Sequence, residues 1–437
     1  MLPLRIVSLK GSNIHTATIM KHIRPLWRCQ ELVALQVSVW GRRSFSHCRQ
    51  APLMQQINVR KEVIRFDPEI PIERATTPPA SWYTEPDLLK LEKNTVFRNN
   101  WVAVGRLDQV ATPGQFFEGQ FADESFIVCR DDNQKLRAFF NVCRHHAMPV
   151  AKGEGKLTHF ECPYHGWTYA LDGRLTKARK LRGIQDFKAK DFGLIPMPVT
   201  SWGPLVLVRL VPGQEDAHTE IEHLKPITEM LTESGYVPEK YGFVRRKTYP
   251  IKSNWKVIVD NFIDGGYHID FAHKQFTSSF YDFSTMKMIH ANEDFSTQTV
   301  DVKADNEYAV ERVGKWPTYT HIYPNFMVSR YGPWFETNIV VPKGHDTADF
   351  VYDFFLENSL INKFSDKELE DYVDDSIAPA SQVQSEDTDL CEGVQAGMNS
   401  IAYDVGRYAP RIEFPQHLFH VKLGKDLRSY FEKSSET

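Results

Sequence analysis

Residues 143–145 read CRH and residues 162–167 read CPYHGW, and sixteen residues separate the C-x-H half of this motif from the C-x-x-H half. Its thiolate and imidazole side chains belong to Cys143, His145, Cys162 and His165. Deprotonated cysteine and neutral histidine are strong ligands of transition metals. The glycine and proline residues around them favour tight turns. The stretch therefore predicts a metal centre held between two short loops.

The order of the ligands within each half separates two kinds of metal centre. A Rieske 2Fe-2S cluster binds one iron through two cysteines and the other through two histidines. A structural zinc ion binds all four ligands on one metal, and usually takes its cysteines from one half of the motif and its histidines from the other. Here each half mixes one cysteine with one histidine. The pattern favours the cluster, with zinc as the alternative, and we expect His146 to point away from it.

A second metal site is indicated by two histidines that follow Gly265 and Gly266. His268 and His273 lie five residues apart and can converge on one ion where a helix ends or is distorted. A non-haem iron that activates oxygen needs two imidazoles and one carboxylate on one face, and leaves its other positions open. The carboxylate must come from elsewhere in the chain, and the acidic segment 385–395 is the best source.

The chain around these motifs predicts two kinds of domain. Short apolar runs separated by turn residues are typical of an all-β domain over residues 101–211. Residues 212–430 mix helical and strand-like stretches, which indicates an antiparallel sheet with helices packed against it. The predicted fold is α+β, with an all-β Rieske 2Fe-2S domain before an antiparallel-sheet-plus-helices catalytic domain. Helices are predicted over 221–234, 254–263 and 367–403, and strands over 323–331, 337–341 and 350–355.

Length and composition set outer limits on the protein. At 437 residues the chain exceeds the roughly 250 to 300 residues at which single cores stop growing. Hydrophobic residues make up 42% and charged residues 25%, which is typical of a globular protein. No run approaches the roughly 18 consecutive apolar residues of a membrane helix, so we expect no membrane span. Six cysteines are too few for a disulfide scaffold in a chain of this length.

The first hundred residues fall into two segments. Residues 1–50 carry eight basic residues and only one acidic residue, Glu31, which is typical of an organellar transit peptide. The alternative is a basic tail that is retained. Their arginine-rich character and the RRSFS run from residue 42 favour the mitochondrial matrix. Residues 51–100 are predicted to form a proline-rich linker that wraps over the surface, then a helix from near Thr84 that packs on the catalytic domain.

The charge that remains without the first segment excludes one class of partner. Removing eight basic residues and one acidic residue changes the formal charge from -4 to -4 - 7 = -11. A strongly acidic protein is repelled by the phosphate backbone of nucleic acid. We therefore expect no nucleic-acid partner.

From about Thr84 to near Lys422 the chain resembles the catalytic subunits of Rieske non-haem iron oxygenases, most of all those that oxidise choline. The resemblance implies one 2Fe-2S cluster and one mononuclear Fe(II) per chain. It also implies hydroxylation of choline to betaine aldehyde hydrate, in glycine betaine biosynthesis, with oxygen and ferredoxin-delivered electrons. The stretches that carry the resemblance are CPYHGW (162–167), DGRLTK (172–177), DNFIDGGYH (260–268), YPNF (323–326), RYGPW (330–334) and EDTDLCE (386–392).

The same resemblance assigns roles to acidic residues. Asp387 is implied as the third iron ligand beside the two histidines, with Glu386 and Asp389 as fallbacks. Asp264 is implied as the catalytic acid that links an iron histidine to a cluster histidine of the neighbouring subunit in a trimer. Many relatives place that acid three residues before the histidine, whereas Asp264 precedes it by four and Gly265 occupies the usual place.

Partners and alternative functions follow from what the chain contains. No dinucleotide fingerprint and no ferredoxin-type cysteine run is present, so the electron source must be external. The resemblance implies that ferredoxin and ferredoxin reductase are this source. The resemblance implies a homo-oligomer and gives the chloroplast stroma as the alternative location. The alternative substrates are another quaternary amine, such as carnitine, or an aromatic acid. A Rieske electron carrier without oxygenase activity is the second alternative.

Two groups of side chains are candidates for recognition. A basic run after the cluster loops is either a docking site for an acidic ferredoxin or an ordinary solvated face: Arg174, Lys177, Arg179, Lys180, Arg182, Lys188 and Lys190. Two or three aromatic residues after the iron histidines are expected to surround a substrate cation. The candidates are Phe271, Phe276, Phe280, Tyr281, Tyr319, Tyr323, Phe326, Tyr331, Trp334 and Phe335.

Overall fold

The computed structural model describes residues 58–213, 221–273, 281–303, 310, 313–314 and 316–433. The predicted transit segment and two of the aromatic candidates, Phe276 and Phe280, lie outside the described residues. The helices are α1 Val59–Ile64, α2 Ser81–Thr84, α3 Pro86–Asn99, α4 Lys225–Glu233, α5 Trp255–Phe262, α6 Ile269–Ala272, α7 Asn358–Ile361, α8 Asp366–Met398 and α9 Phe414–Lys433. Short 3-10 helices span Leu107–Val110, Ala189–Phe192, Glu222–Leu224 and Pro238–Lys240.

The strands fall into two groups along the chain. The first group is β1 Val102–Arg106, β2 Gln115–Phe121, β3 Glu124–Arg130, β4 Leu136–Phe140, β5 Glu154–Lys156, β6 Phe160–Glu161, β7 Thr168–Tyr169, β8 Leu175–Lys177, β9 Pro196–Met197, β10 Val199–Trp202 and β11 Leu205–Val208. The second group is β12 Tyr241–Ile251, β13 Tyr281–Ala291, β14 Phe295–Val302, β15 Thr318–Ile322, β16 Phe326–Tyr331, β17 Trp334–Pro342 and β18 Ala348–Glu357.

The first group of strands forms three small antiparallel sheets. Their orders are β5-β2-β3-β4-β9, β1-β11-β10 and β6-β7-β8. Alternating apolar residues of these strands, including Ile127, Phe139 and Phe160, pack into one buried cluster. Cys143 and Cys162 belong to the same cluster, so the loops of the motif are anchored on this core.

The second group forms one seven-stranded antiparallel sheet in the order β12-β18-β17-β16-β15-β14-β13. Helices α5 and α8 pack together on this sheet, with α5 against β17 and α8 against β12. An all-β domain followed by an antiparallel sheet with helices is the predicted α+β arrangement, which is confirmed. Among the described residues, no helix combines the length and the apolar character needed to cross a membrane.

The segment before the all-β domain differs from its predicted form. Asn58 caps α1 by accepting a hydrogen bond from the backbone amide of Lys61 at 3.0 Å. Phe66 and Trp82 are buried in the same core as residues of α9. These buried side chains therefore anchor the described part of the predicted linker to the core, while Asp67, Glu69 and Arg74 remain exposed. The domain boundaries at 50, 100 and 211 stay predictions.

A buried ion pair fixes α5, the helix that leads to the second metal site. The Nζ atom of Lys256 lies 2.6 Å from Oε1 of Glu92 on α3, and both side chains are fully buried. Trp255 Nε1 donates to the other oxygen of Glu92 at 2.8 Å. Burial lowers the pKa of Lys256, and the charge of Glu92 opposes that shift. Because a buried charge without its partner is costly, the pair holds α5 against α3.

Candidate metal centres

The two halves of the cysteine–histidine motif fold into matched loops. In the first loop, the amide of Cys143 donates to the carbonyl of Met148 at 2.9 Å, and Ala147 donates back to the carbonyl of Cys143 at 2.9 Å. In the second loop, the amide of Cys162 donates to the carbonyl of Trp167 at 2.8 Å, and the amide of Gly166 donates to the carbonyl of Cys162 at 2.9 Å. The closing residue has a positive φ in both loops, 59° at Ala147 and 68° at Gly166. Glycine adopts this conformation without strain, which explains its place in the second loop.

The loops place unlike ligands at opposite ends of one site. Cys143 and Cys162 are each 2% exposed and lie in the same buried cluster. His145 and His165 are exposed, with ring centroids 4.6 Å apart. Burial raises the pKa of the Cys162 thiol, and bound iron would favour the thiolate instead. A sulfur pair inside and an imidazole pair outside fit a cluster in which each iron takes one pair.

The same geometry disfavours zinc. A tetrahedral zinc ion brings its four ligand atoms to about 2.0 to 2.3 Å from one centre, and therefore close to one another. Within the described part of the chain, the only metal-ligating set whose atoms lie within 4.8 Å of one another is formed by His268, His273 and Asp387. The four residues of the cysteine–histidine motif are all described and do not form such a set.

His146 lies beside the two histidines of the cluster loops. The ring of His146 lies 4.0 Å from that of His145 and 5.4 Å from that of His165, so the expectation that it points away is wrong. The turn at Ala147 leaves both His145 and His146 at the exposed end of the loop.

A tyrosine contacts one of the sulfur atoms. The hydroxyl of Tyr169 lies 3.2 Å from the sulfur of Cys143. Hydrogen bonds to the sulfur ligands are one means by which a protein tunes a cluster's potential.

The histidines of the second site flank one short helix. His268 is the N-cap of α6 and His273 is its C-cap, and their ring centroids lie 5.1 Å apart. Gly265 and Gly266 precede them with φ of 71° and 78°. A Cβ atom at Gly265 would lie 2.3 Å from the carbonyl oxygen of Ile412, so both conformation and space require glycine there.

The third member of this site comes from α8. The Oδ1 atom of Asp387 lies 3.4 Å from Nε2 of His268 and 3.2 Å from Nε2 of His273. Asn261 Nδ2 donates to the same oxygen at 3.3 Å. Asp389 is exposed on the same helix. Two imidazoles and one carboxylate on one face are the donor set of non-haem iron(II) sites, so these residues fit such an ion.

The outer nitrogen of each histidine is held by a further carboxylate. Nδ1 of His268 lies 2.6 Å from Asp264, and Nδ1 of His273 lies 2.7 Å from Glu386. These contacts turn both Nε2 atoms towards Asp387, which is how outer carboxylates orient metal-ligating histidines. The sequence offered Glu386 as a fallback ligand, and its contact with His273 could not be foreseen from spacing.

The electrostatics of the site favour a bound cation. Burial acts to lower the pKa of His268, but its hydrogen bonds with Asp264 and Asp387 outweigh burial and raise that pKa to about 10. Burial acts to raise the pKa of Asp387, but its contacts with both histidines lower it. Carboxylates thus stabilise positive charge on the imidazoles, and a metal ion can supply that charge in place of protons.

A cavity of about 230 Å³ opens beside these three residues. Three of the aromatic candidates line it: Tyr281, Tyr319 and Tyr331. Two further lining residues, Glu336 and Tyr352, were missed by the sequence analysis because nothing in their local pattern distinguishes them from sheet core. Phe326 and Phe335 instead belong to a separate apolar cluster, since strand residues alternate between the two faces of a sheet.

Comparison with known families places both domains. Residues 100–188 match the Rieske [2Fe-2S] domain, and residues 238–428 match the ring hydroxylating alpha subunit catalytic domain. The chain therefore belongs to the Rieske non-haem iron oxygenases. It is an oxidoreductase with a 2Fe-2S cluster in its first domain and a mononuclear iron in its second.

Within that family the chain is similar to plant choline monooxygenases over most of its length. It is 39% identical to the chloroplastic choline monooxygenase of Arabidopsis thaliana over 420 residues, which cover 94% of this chain and 96% of that one. It is 27% identical to the carnitine monooxygenase oxygenase subunit of Acinetobacter pittii, covering 75% and 87%.

The fold also matches solved structures. One is a quaternary ammonium Rieske monooxygenase described for carnitine oxidation by gut microbiota and for inter-subunit electron transfer. Its TM-score is 0.68 at 23% identity, over 84% of this chain and 98% of that one.

Proposed function

We propose that the protein hydroxylates choline to betaine aldehyde hydrate. The reaction consumes one oxygen molecule, two electrons and two protons per choline, and forms the geminal diol and one water. The observation that carries the proposal is the set His268, His273 and Asp387 at the wall of a cavity lined by tyrosines. The 39% identity to a plant choline monooxygenase supports the choice of substrate.

The proposed ligands divide between the two metal sites. Cys143, His145, Cys162 and His165 hold the cluster, and the His268 set holds the mononuclear iron. When bound, the cluster supplies single electrons and the iron activates oxygen. Asp264 and Glu386 keep the two iron histidines oriented by accepting from their Nδ1 atoms.

Asp264 is proposed to connect the two metal sites across a subunit interface. Its Oδ1 accepts from the backbone amides of Gly266 and Tyr267, at 2.8 and 3.2 Å, which fixes the carboxylate beside His268. The related carnitine-oxidising structure is described with inter-subunit electron transfer, which supports a homo-oligomer. Asp264→Asn should leave both metals bound and the cluster reducible, yet stop coupled turnover. Full activity in that variant would contradict the connection.

Ferredoxin is proposed to dock on the basic run after the cluster loops. All seven of its basic side chains are exposed, and Arg174 pairs with Asp172 at 2.6 Å. Reversing Lys177, Arg179 and Lys180 to glutamate should slow reduction by ferredoxin at low salt and leave reduction by dithionite unchanged. The matched control reverses three exposed lysines elsewhere: Lys90, Lys363 and Lys367. Equal rates in the two triple variants would count against docking at this surface.

An organellar location is proposed, with two candidate compartments. The basic first fifty residues favour mitochondrial import, whereas the plant relatives are named as chloroplastic and fit the chloroplast stroma, not the mitochondrial matrix. Fusing residues 1–57 to a fluorescent protein in cells of the source organism distinguishes the two compartments. Diffuse fluorescence would contradict an organellar address.

The substrate is tested by turnover of the reconstituted protein. The assay combines choline or carnitine with ferredoxin, its reductase and oxygen, and measures betaine aldehyde, carnitine consumption and oxygen uptake. Choline oxidation with product formed in equal amount to oxygen consumed is the expected result. Carnitine is the second candidate, because both a curated relative and a matching structure act on it. Turnover of carnitine alone would overturn the choline assignment.

A further inference from the structure

One carboxylate in the cavity has no role at the metal site. Glu336 lies on β17, is 6% exposed, and lines the cavity. The hydroxyl of Tyr331 donates to its Oε2 at 2.7 Å, and Nδ2 of Asn338 donates to its Oε1 at 2.7 Å. Two neutral donors thus orient this carboxylate at the sheet wall of the cavity.

The strand register places Glu336 in a row of cavity-lining residues. Gln298 pairs with Tyr319, Tyr319 with Ser329, and Ser329 with Glu336, across β14 to β17. All four residues line the cavity. The iron-site residues come from α6 and α8, so the sheet supplies a separate wall for recognition.

The charge of Glu336 lacks a partner among the described residues. Three carboxylates line the cavity, and two of them, Asp264 and Asp387, contact the iron-site histidines. The contacts of Glu336 are with the neutral Tyr331 and Asn338. Burial raises the pKa of Glu336, and its two hydrogen bonds act in the opposite direction. A buried carboxylate is costly without a cation beside it, so the cavity favours a positively charged occupant.

The aromatic lining suits a cation that cannot donate hydrogen bonds. Tyr281, Tyr319, Tyr331 and Tyr352 line the same cavity, and the hydroxyls of Tyr281 and Tyr319 lie 2.9 Å apart. Burial is the main cause and the charge of Glu336 the second cause that raise the pKa of Tyr331 and of Tyr352 well above the usual value. Both therefore remain neutral phenols. Quaternary ammonium groups bind to aromatic faces and to diffuse negative charge.

We propose that Glu336 and the surrounding tyrosines form the subsite that binds the cationic head of the substrate. The inference rests on the proposed oxidation of a quaternary amine and names the residue that selects for its charge. It also narrows the substrate class. The described lining contains no lysine or arginine to bind a substrate carboxylate. The described part of the lining therefore offers a partner for a cation and none for the carboxylate of carnitine or of an aromatic acid.

The test separates charge from shape. Choline and 3,3-dimethylbutan-1-ol have nearly the same shape, but only choline is charged. Binding of each is measured by calorimetry on the anaerobic holoenzyme without an electron donor. The wild-type protein should bind choline at least about tenfold more tightly than the neutral alcohol and more tightly than carnitine. Equal binding of choline and the alcohol would overturn the proposal whatever the variants do.

The variant Glu336→Gln removes the charge and keeps the shape. The amide of Asn338 can turn to offer its oxygen to the new side chain, because that oxygen has no hydrogen-bond partner among the residues that the structure describes. Choline binding should weaken at least about tenfold while binding of the neutral alcohol changes less than about threefold. Glu357→Gln is the matched control, since it removes one negative charge beside Tyr241, outside the cavity lining.

The possible outcomes separate this inference from the proposed function. Charge-selective binding that depends on Glu336 supports the subsite even if choline is not hydroxylated, which would count only against the proposed reaction. The opposite outcome is that choline is hydroxylated but Glu336→Gln and Glu357→Gln change the binding of choline and of the neutral alcohol equally. That outcome would overturn the subsite and would not contradict the proposed reaction. If Glu336→Gln does not fold, judged by circular dichroism and by its content of mononuclear iron, the preference of the wild-type protein for choline over the neutral alcohol decides. Tyr331→Phe should then reduce that preference.

Discussion

The proposed cluster loops and the proposed mononuclear iron site differ in how the chain builds them. Both halves of the cluster site lie within one short stretch, and each loop closes through backbone hydrogen bonds of its own. The iron site joins α6 to α8, and His273 meets Glu386 across 113 residues of sequence. A local site can therefore be predicted from its sequence motif, whereas a site assembled from distant segments depends on the packing that brings them together.

The largest effect is expected when a proposed metal ligand is removed, because each site should then lose its metal independently of the other. Asp387→Ala should lower the iron content from about three to about two atoms per chain and reduce hydroxylation by at least about 10³-fold, with the cluster absorbance unchanged. Cys162→Ser should instead remove the cluster. Asp389→Ala is the control, because Asp389 is exposed on the same helix. Iron analysis and visible spectra provide the measurement, and three irons retained in Asp387→Ala would contradict the assignment.

The dependence of the iron site on packing is tested at the buried Glu92–Lys256 pair. Glu92→Gln should destabilise the catalytic domain by about 3 to 5 kcal/mol, because it leaves Lys256 buried without its counter-charge. The double variant Glu92→Leu/Lys256→Met should recover much of that loss. Chemical denaturation followed by circular dichroism gives the free energies of unfolding.

The control for this pair is the exposed Lys90–Asp87 pair, in which the lysine side chain is 74% exposed. Asp87→Asn should change the free energy of unfolding by less than about 1 kcal/mol. Similar losses for Asp87→Asn and Glu92→Gln would mean that burial of the ion pair does not hold α5.

A smaller effect is expected at Glu386, which contacts the ligand but not the metal position. Glu386→Gln should lower iron(II) affinity by about 10- to 100-fold, because a neutral amide holds the His273 ring less firmly and makes it a weaker base. Chelator competition on protein with an intact cluster measures this affinity. Asp389→Asn is the matched control. Unchanged affinity in Glu386→Gln would show that the contact does not position His273.

The smallest effect is expected at the cluster. Tyr169→Phe removes the hydroxyl 3.2 Å from the Cys143 sulfur and should lower the cluster's reduction potential by an amount on the order of tens of millivolts. Iron(II) affinity at the mononuclear site should not change. A spectroelectrochemical titration measures the potential, and a potential equal to that of the wild-type protein would argue against a hydrogen bond to this sulfur.

The same contrast explains what could be predicted from sequence. The α+β order followed from the pattern of strand-like and helical stretches, and the family followed from the resemblance of the quoted motifs to those of known proteins. Glu336 could not be recognised, because one acidic residue in an apolar strand acquires a role only when β14 to β17 align. The buried anchors of the proline-rich segment could not be recognised for a related reason, since Phe66 and Trp82 pack in a core that includes residues of the distant α9.

The early segment also limits how the polypeptide can mature. Val63 and Phe66 belong to the main hydrophobic core, and Arg428 of α9 donates to the carbonyl of Ile64 at 3.1 Å. If a leader is removed, a cut before Asn58 retains both the cap of α1 and these core residues. Cleavage beyond Phe66 would remove part of the hydrophobic core, and we expect such a product to be degraded instead of accumulating.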